Sequence, residues 1–495
     1  MNFEEYYKGF GFEKYPFGAF TTEAESDVYA DIFLKPPNHS VIAEGLRNTS
    51  AIVIGERGTG KTALSLDLGA GLSTGNNLVL RIEEFSSLKT NYATEDLYHF
   101  LIERLTSAFF MHYADHPNSL WKFSKEERID ISMYLHRYLG ATTKAMLRDK
   151  ISKIQNSAIK RGMIGFYNYT RVALNYGLKA ASKFASDALT KHFSSLPEFD
   201  TGDTEYFRRI ETEIDDKFTL DQKQYFYLEK LCRLVKKGDI AKIYIIIDKI
   251  DEDSRFENDA ENIADYIKKF ASDNKILTTD MFHILLFMWS TPFNYIKENV
   301  RTQKLSFQSL DWGRNELEKV LLRRLSSYSN KLVTDNVQIF EGCSPQSFDL
   351  IFNMCNRNPR DLWHILNKAF EEQYRIDHNK KITDQAIASA VKRFVTEFNY
   401  YEYYPKKSKA RANSMDVYRY IKHLLKLDSH RFTKDKLNTM AGTGGSTNNY
   451  VIVMENMGLI RNTGDKAQGG AVVYEIADPK VRYAMENGIP IDEKD

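Results

Sequence analysis

Residues 51–66 read AIVIGERGTGKTALSL. An apolar, mostly β-branched run ends at Gly55, a glycine-spaced loop follows, and apolar residues then recur at helical spacing, so the stretch reads strand, loop, helix. Gly55, Glu56, Arg57, Gly58, Thr59, Gly60, Lys61 and Thr62 fit GxxxxGK[ST], the pattern of a phosphate-binding loop in the structural context it requires. The glycines let successive backbone N–H groups turn inward around phosphate oxygens at a helix N-terminus. Lys61 is expected on the β- and γ-phosphates. Thr62 is expected to place its hydroxyl on Mg²⁺, an ion that keeps most of its waters and takes few protein ligands. ATP and Mg²⁺ are the ligands this loop predicts.

Outward from the loop, NLVLRIEE (77–84), IYIII (243–247), HILLFMW (283–289) and KLSFQSL (304–310) read as four more buried strands. Helical patterns alternate with them, which predicts an α/β chain with a parallel sheet. The alternation fails once. Residues 91–238 are almost entirely helical in pattern, far more than one crossover needs, and read as an inserted helical subdomain. Its stretch 144–192 holds ten Lys and Arg, from Lys144 to Lys191, against Asp149 and Asp187, with Phe166, Tyr167, Tyr169 and Tyr176 interleaved. Such a stretch suits nucleic acid, and equally a solvated or partner-facing helical face.

The remaining divisions follow from pattern changes. Residues 1–50 mix aromatics with turn formers and a Pro36-Pro37 breaker, an ordered lead-in segment. The core resumes over 51–90 and 239–312. Residues 313–398 form a helical lid, 399–414 (NYYEYYPKKSKARANS) a linker with Pro405 and a basic run, and 415–495 three helices followed by a glycine-rich hairpin, the order of a winged helix.

Composition bounds the partners. In 495 residues, 68 Lys+Arg against 67 Asp+Glu leave a formal charge of +1, so no global field recruits nucleic acid or membrane. Cys232, Cys343 and Cys355 show no CxxC spacing, against a zinc site or disulfide framework, and no apolar run approaches the roughly 18 residues a membrane span needs. A soluble, cytoplasmic chain is expected.

Asp248 ends the third strand, where a carboxylate orients Mg²⁺ through water. Asp251 and Glu252 follow as candidate general bases, or as part of a solvated acidic run. Ser290 and Thr291 come directly after the fourth strand, placed to hold the lytic water or to start a helix before Pro292. Arg360, in NRNPRDLWHIL, opens a lid helix although a cation there opposes the helix dipole; a nucleotide phosphate or a surface salt bridge accounts for it. In the C-terminal unit the third helix carries Asn448, Asn449 and Asn456 but no cation, which leaves Arg461, Lys466 and Gln468 on the hairpin, with Lys434 and Lys436, as its DNA-contact candidates.

Taken together, the loop at 55–62, the strand ending at Asp248, the hydroxyls after the fourth strand, the NPRDL lid and the trailing winged helix resemble the AAA+ and STAND group of P-loop ATPases. The chain is most similar to initiators of the Orc/Cdc6 type and to prokaryotic P-loop ATPases whose entry reads YPF, acids, PP, then IGERGTGKTAL, several of them anti-phage defence ATPases. The likeness spans residues 15–90, 240–375 and, more loosely, 415–489. It implies that Arg360 is the sensor-2 arginine and Ser290 or Thr291 sensor 1. It also implies an acid after Asp248, where this chain has Lys249, so slow hydrolysis is expected. Arg301, Arg323 and Arg324 are the candidates for an arginine finger. Two functions follow: an ATP-dependent switch of a conflict system working with a protein effector or by self-assembly, or a DNA-binding initiator or loader.

Overall fold

The strand expected before the phosphate loop is an interior strand of the sheet. The computed structural model describes residues 1–25, 28–115, 220–238, 240–406 and 416–493, with isolated positions between 122 and 138. Five strands, β1 (Ala51–Gly55), β2 (Asn77–Ile82), β3 (Lys242–Ile247), β4 (His283–Trp289) and β5 (Ser306–Ser309), form one sheet in the order β2-β3-β4-β1-β5. Every pairing is parallel. Both faces are covered, so the strands are continuous apolar runs. Ile52, Ile245, Ile247 and Leu286 face one core, and Val53, Tyr244, Ile246 and Leu285 the other, as the two-residue period dictates.

Helix α1 (Phe3–Lys8) packs on the lid, and around the sheet lie α2 (His39–Asn48), α3 (Lys61–Ser73), α4 (Thr94–Asp115), α5 (Leu220–Lys237), α6 (Ala260–Ala271) and α7 (Ser290–Ile296). The helices α4 and α5 pack together where the inserted segment leaves and re-enters the core. The basic stretch 144–192 lies outside the described residues.

The segment expected to be a lid is α8 (Arg314–Tyr328), α9 (Pro345–Met354), α10 (Pro359–Asp377) and α11 (Asp384–Glu397). Its core takes in Tyr6, Phe12 and Phe17 from the lead-in segment. The C-terminal unit is α12 (Val417–Leu424), β6 (Arg431–Phe432), α13 (Lys434–Ala441), α14 (Thr447–Asn456), β7 (Ile460–Lys466), β8 (Val472–Ile476) and α15 (Pro479–Glu486). Its strands form an antiparallel sheet in the order β6-β8-β7, and α14 packs against α7 of the sheet domain. The sequence reading contained neither β6 nor α15.

One expectation needs correcting. The first half of the stretch read as a linker is packed: Tyr400 and Tyr404 are buried, and 400–402 form a short 3-10 turn. The Tyr403 hydroxyl donates to Asp361 Oδ1 at 2.6 Å and the Tyr404 hydroxyl to Asp478 Oδ2 at 2.7 Å. Between those carboxylates sits Lys480, 1% exposed, donating to Asp361 Oδ2 at 3.1 Å with its ammonium 4.4 Å over the Phe398 ring. Burial alone lowers the Lys480 pKa, and Asp361 and Asp478 more than reverse it. Removing the cation strands two buried carboxylates, so Lys480→Ala is expected to cost about 3–5 kcal/mol in urea unfolding. The double variant Lys480→Ala/Asp361→Asn should recover part of it. A loss under about 1 kcal/mol would mean that the group is hydrated.

Candidate functional site

The register of β1 against β4 sets Gly55 beside Trp289, which brings the phosphate loop and the start of α7 together at the carboxyl edge of the sheet. Crevices outside that edge, where neighbouring connections run to opposite sides, are the usual ligand sites of open α/β sheets. A cleft of about 240 Å³ lies there, bounded by the loop, the turn after β3, the lead-in segment and the lid.

Gly58 and Gly60 have φ of 85° and 88°, the left-handed region that glycine adopts without strain. Gly60 caps α3 with no side-chain hydrogen bond to the first turn, so no side chain competes for its amides. Gly58 has a second reason to be glycine: a Cβ there would meet Asn358 Oδ1 at 2.6 Å and Arg360 Cβ at 2.9 Å. The lid therefore seats directly on the loop. Lys61 Nζ donates to Gly55 O at 2.9 Å and Glu56 O at 3.0 Å. Burial lowers its pKa, opposed by Asp251, Glu56 and Asp248.

Asp248 is buried at the end of β3, with Oδ1 accepting from Lys249 N at 3.0 Å and the Thr62 hydroxyl near enough to its carboxylate to oppose the rise in pKa that burial causes. Its Oδ2 is buried with no partner, and burial raises its pKa. An orphaned carboxylate oxygen beside a threonine hydroxyl fits a Mg²⁺ held mainly by water and phosphate. Among the described residues no group of three or more His, Cys, Asp or Glu could hold a metal ion, so such an ion needs phosphate oxygens as ligands.

The two candidate bases separate. Asp251 is buried and ion-paired: Arg57 Nε lies 3.2 Å from its Oδ2. Glu252 lines the cleft, is exposed at its rim, and has no ion pair or side-chain hydrogen bond among the described residues. Partial burial of its carboxyl first, and Asp251 beside it second, raise its pKa, the direction a general base near neutrality needs. Lys249, with φ of 60°, also lines the cleft, its Nζ 3.9 Å from Glu83 Oε2.

Ser290 is the first residue of α7 and makes no side-chain cap; its hydroxyl is near enough to Glu56 to lower that carboxyl's pKa. Thr291 is buried, and neither residue lines the cleft. Glu56 accepts a hydrogen bond from Trp289 Nε1 at 2.9 Å, while burial raises its pKa. Arg360 does line the cleft, and its guanidinium makes no hydrogen bond or ion pair among the described residues, so no salt bridge accounts for it.

Of the three finger candidates, Arg324 is buried against Glu25 and Trp363, and Arg323 Nε donates to Asp31 O at 2.7 Å. Arg301 is exposed and unpaired among the described residues. In the C-terminal unit, Arg461 pairs with Glu475, Lys436 Nζ lies 2.5 Å from Asp428, and the Lys434 ammonium sits 5.9 Å over the Tyr474 ring. The two ion pairs offset Arg461 and Lys436; Lys434, Lys466 and Gln468 stay outside them.

The sequence reading missed Asn358, which caps α10 and donates from Nδ2 to Arg57 O at 2.6 Å, and the aromatic wall of Phe20, Tyr29, Phe33 and Trp363. An asparagine before Pro359 is a legible helix cap, whereas its bond to the loop is not.

No family model matches the chain, and no curated protein matches it. Among solved structures it is similar to Cdc6p from Pyrobaculum aerophilum, at 9% identity over 97% of this chain and 98% of that one, with a TM-score of 0.30. The reading of the cleft therefore rests on its own geometry. No helix among the described residues is long and apolar enough to cross a membrane.

Proposed function

We propose that this chain is an ATP-binding switch ATPase of the AAA+ type whose lid and C-terminal winged helix respond to the nucleotide. The observation that carries this is the joining of a glycine cradle, Lys61 and the Thr62–Asp248 pair in one cleft closed by the Arg360 end of the lid. Phosphates lie on the loop amides and Lys61, and the base and ribose lie towards Phe20, Tyr29 and Trp363. Mg²⁺ is held by Thr62 and, through water, Asp248, and supplies charge neutralisation of the phosphates when bound. Arg360 extends from the lid to the γ-phosphate.

This assignment is tested by Arg360→Ala. One charge-assisted hydrogen bond contributes about 1.5–3 kcal/mol, so ATP affinity should fall about 10- to 100-fold while ADP affinity changes little. Equal losses for both nucleotides by calorimetry would remove Arg360 from the γ-phosphate.

The ion-paired cations of the C-terminal unit favour a protein partner or self-assembly over duplex DNA there. A role in prokaryotic conflict systems rests on the sequence resemblance alone. The initiator reading needs a salt-dependent duplex shift carried by the lysines of 144–192 or by Lys466.

A further inference from the structure

Arg57 belongs to the phosphate loop, yet its side chain spends all of its contacts outside it. Nε donates to Asp251 Oδ2 at 3.2 Å and Nη2 to Asp251 O at 2.8 Å, so the turn after β3 is gripped at both side chain and backbone. The guanidinium carbon lies 4.2 Å over the Trp289 ring at the end of β4. Nη1 donates to Glu402 O at 3.3 Å, in the segment that anchors the C-terminal unit. The backbone of Arg57 meets the same segment from the other side: Asn358 Nδ2 donates both to Arg57 O at 2.6 Å and to the Tyr403 hydroxyl at 3.2 Å. Tyr403 and Tyr404 in turn hold Asp361 and Asp478, the two carboxylates around Lys480. A chain of direct contacts therefore runs from the phosphate loop through Arg57 to residues 402–404 and on to α15.

The weakest of these contacts is the one to the tether. A neutral carbonyl at 3.3 Å competes poorly for a guanidinium with an anionic phosphate oxygen, which adds ion pairing and can accept two parallel N–H bonds. Arg57 also lines the cleft, so the competing acceptor needs no new route to reach it.

We infer that Arg57 is the positioning residue through which occupancy of the cleft reaches the C-terminal unit: with nucleotide bound, its guanidinium leaves Glu402 O for a phosphate oxygen, and the 400–404 turn loosens. This rests on the ATP reading above. Asp251 stays within reach of the same guanidinium, so the turn that bears Glu252 keeps its place while the tether gives way.

The test is hydrogen exchange on the full chain with and without a non-hydrolysable ATP analogue, binding being followed separately by calorimetry. The amides of Glu402, Tyr403 and Tyr404 are held by bonds to Asn399 O and Tyr400 O, which makes them slow reporters. In the wild type, saturating analogue should speed their exchange roughly 10- to 100-fold, the effect of one lost hydrogen bond to a charged group. In Arg57→Ala these amides should exchange fast in both states while the analogue still binds through Lys61 and the loop. Arg57→Lys, which keeps the charge, should restore part of the nucleotide-dependent difference. An arginine that only supports the fold would raise exchange in both states and leave that difference intact, and this result would overturn the inference. So would a wild type that binds the analogue without any change at 402–404. A wild type that binds no analogue would overturn the ATP reading and the inference with it.

Discussion

Lys61→Ala should leave no measurable heat of ATP binding at concentrations where the wild type saturates. The ammonium serves the β- and γ-phosphates together, and two charge-assisted contacts at about 1.5–3 kcal/mol each correspond to about 10²–10⁴-fold in affinity. The surroundings push the loss to the upper end. Asp251, Glu56 and Asp248 all act on Lys61, and without it their charges face an anionic ligand with one cation fewer in opposition. The fold should survive, because Lys61 Nζ bonds only to the carbonyls of Gly55 and Glu56 within its own loop. A melting temperature within a few degrees of the wild type would show that the loss belongs to the site. Unchanged ATP affinity in a folded variant would mean that the loop is not a nucleotide site.

What could be read from the sequence was local. The five strands were visible because a parallel sheet covered on both faces needs unbroken apolar runs, and IYIII and HILLFMW are such runs. The phosphate loop was visible because its glycine spacing dictates its own backbone, confirmed by the positive φ of Gly58 and Gly60. Partnerships across the chain were not visible. Nothing in GERGTGK says that Arg57 will grip a carboxylate 194 positions later, or that Glu56 will be bonded by Trp289. Residues 399–406 were read as a linker because their tyrosines follow neither a two-residue nor a helical period, and a basic run comes after them. Their order comes from tertiary contacts with Asn258, Asp361 and Asp478. Lys480 looked like any surface lysine until two carboxylates from other elements were placed around it.

Those partnerships also favour one of the two acids that the sequence left as equals. Asp251 is occupied, its carboxylate and carbonyl both held by Arg57, so moving it to take a proton would break an ion pair in a buried turn. Glu252, one residue on, has no ion pair among the described residues and sits at the rim of the cleft with a pKa raised by burial. As the proposed base it would accept a proton from the attacking water as the water oxygen bonds to the γ-phosphorus and the bond from that phosphorus to the ADP oxygen breaks. Glu252→Gln is therefore expected to lower kcat about 10²–10⁴-fold with ATP affinity nearly unchanged, the usual worth of a general base. Asp251→Asn should instead disturb both terms, because it frees the Arg57 side chain from the turn after β3. The wild-type rate should itself be low, below about one per second: Glu252 works from an exposed rim, and the position directly after Asp248 holds Lys249, which as an ammonium cannot take the proton. Lys249→Glu should then raise turnover by placing a carboxylate beside Asp248. It should do so even in the Glu252→Gln background, because the new base would not depend on the old one. A Glu252→Gln enzyme that hydrolyses as fast as the wild type would return the role to Asp251 and make the Arg57 pair a brake on it.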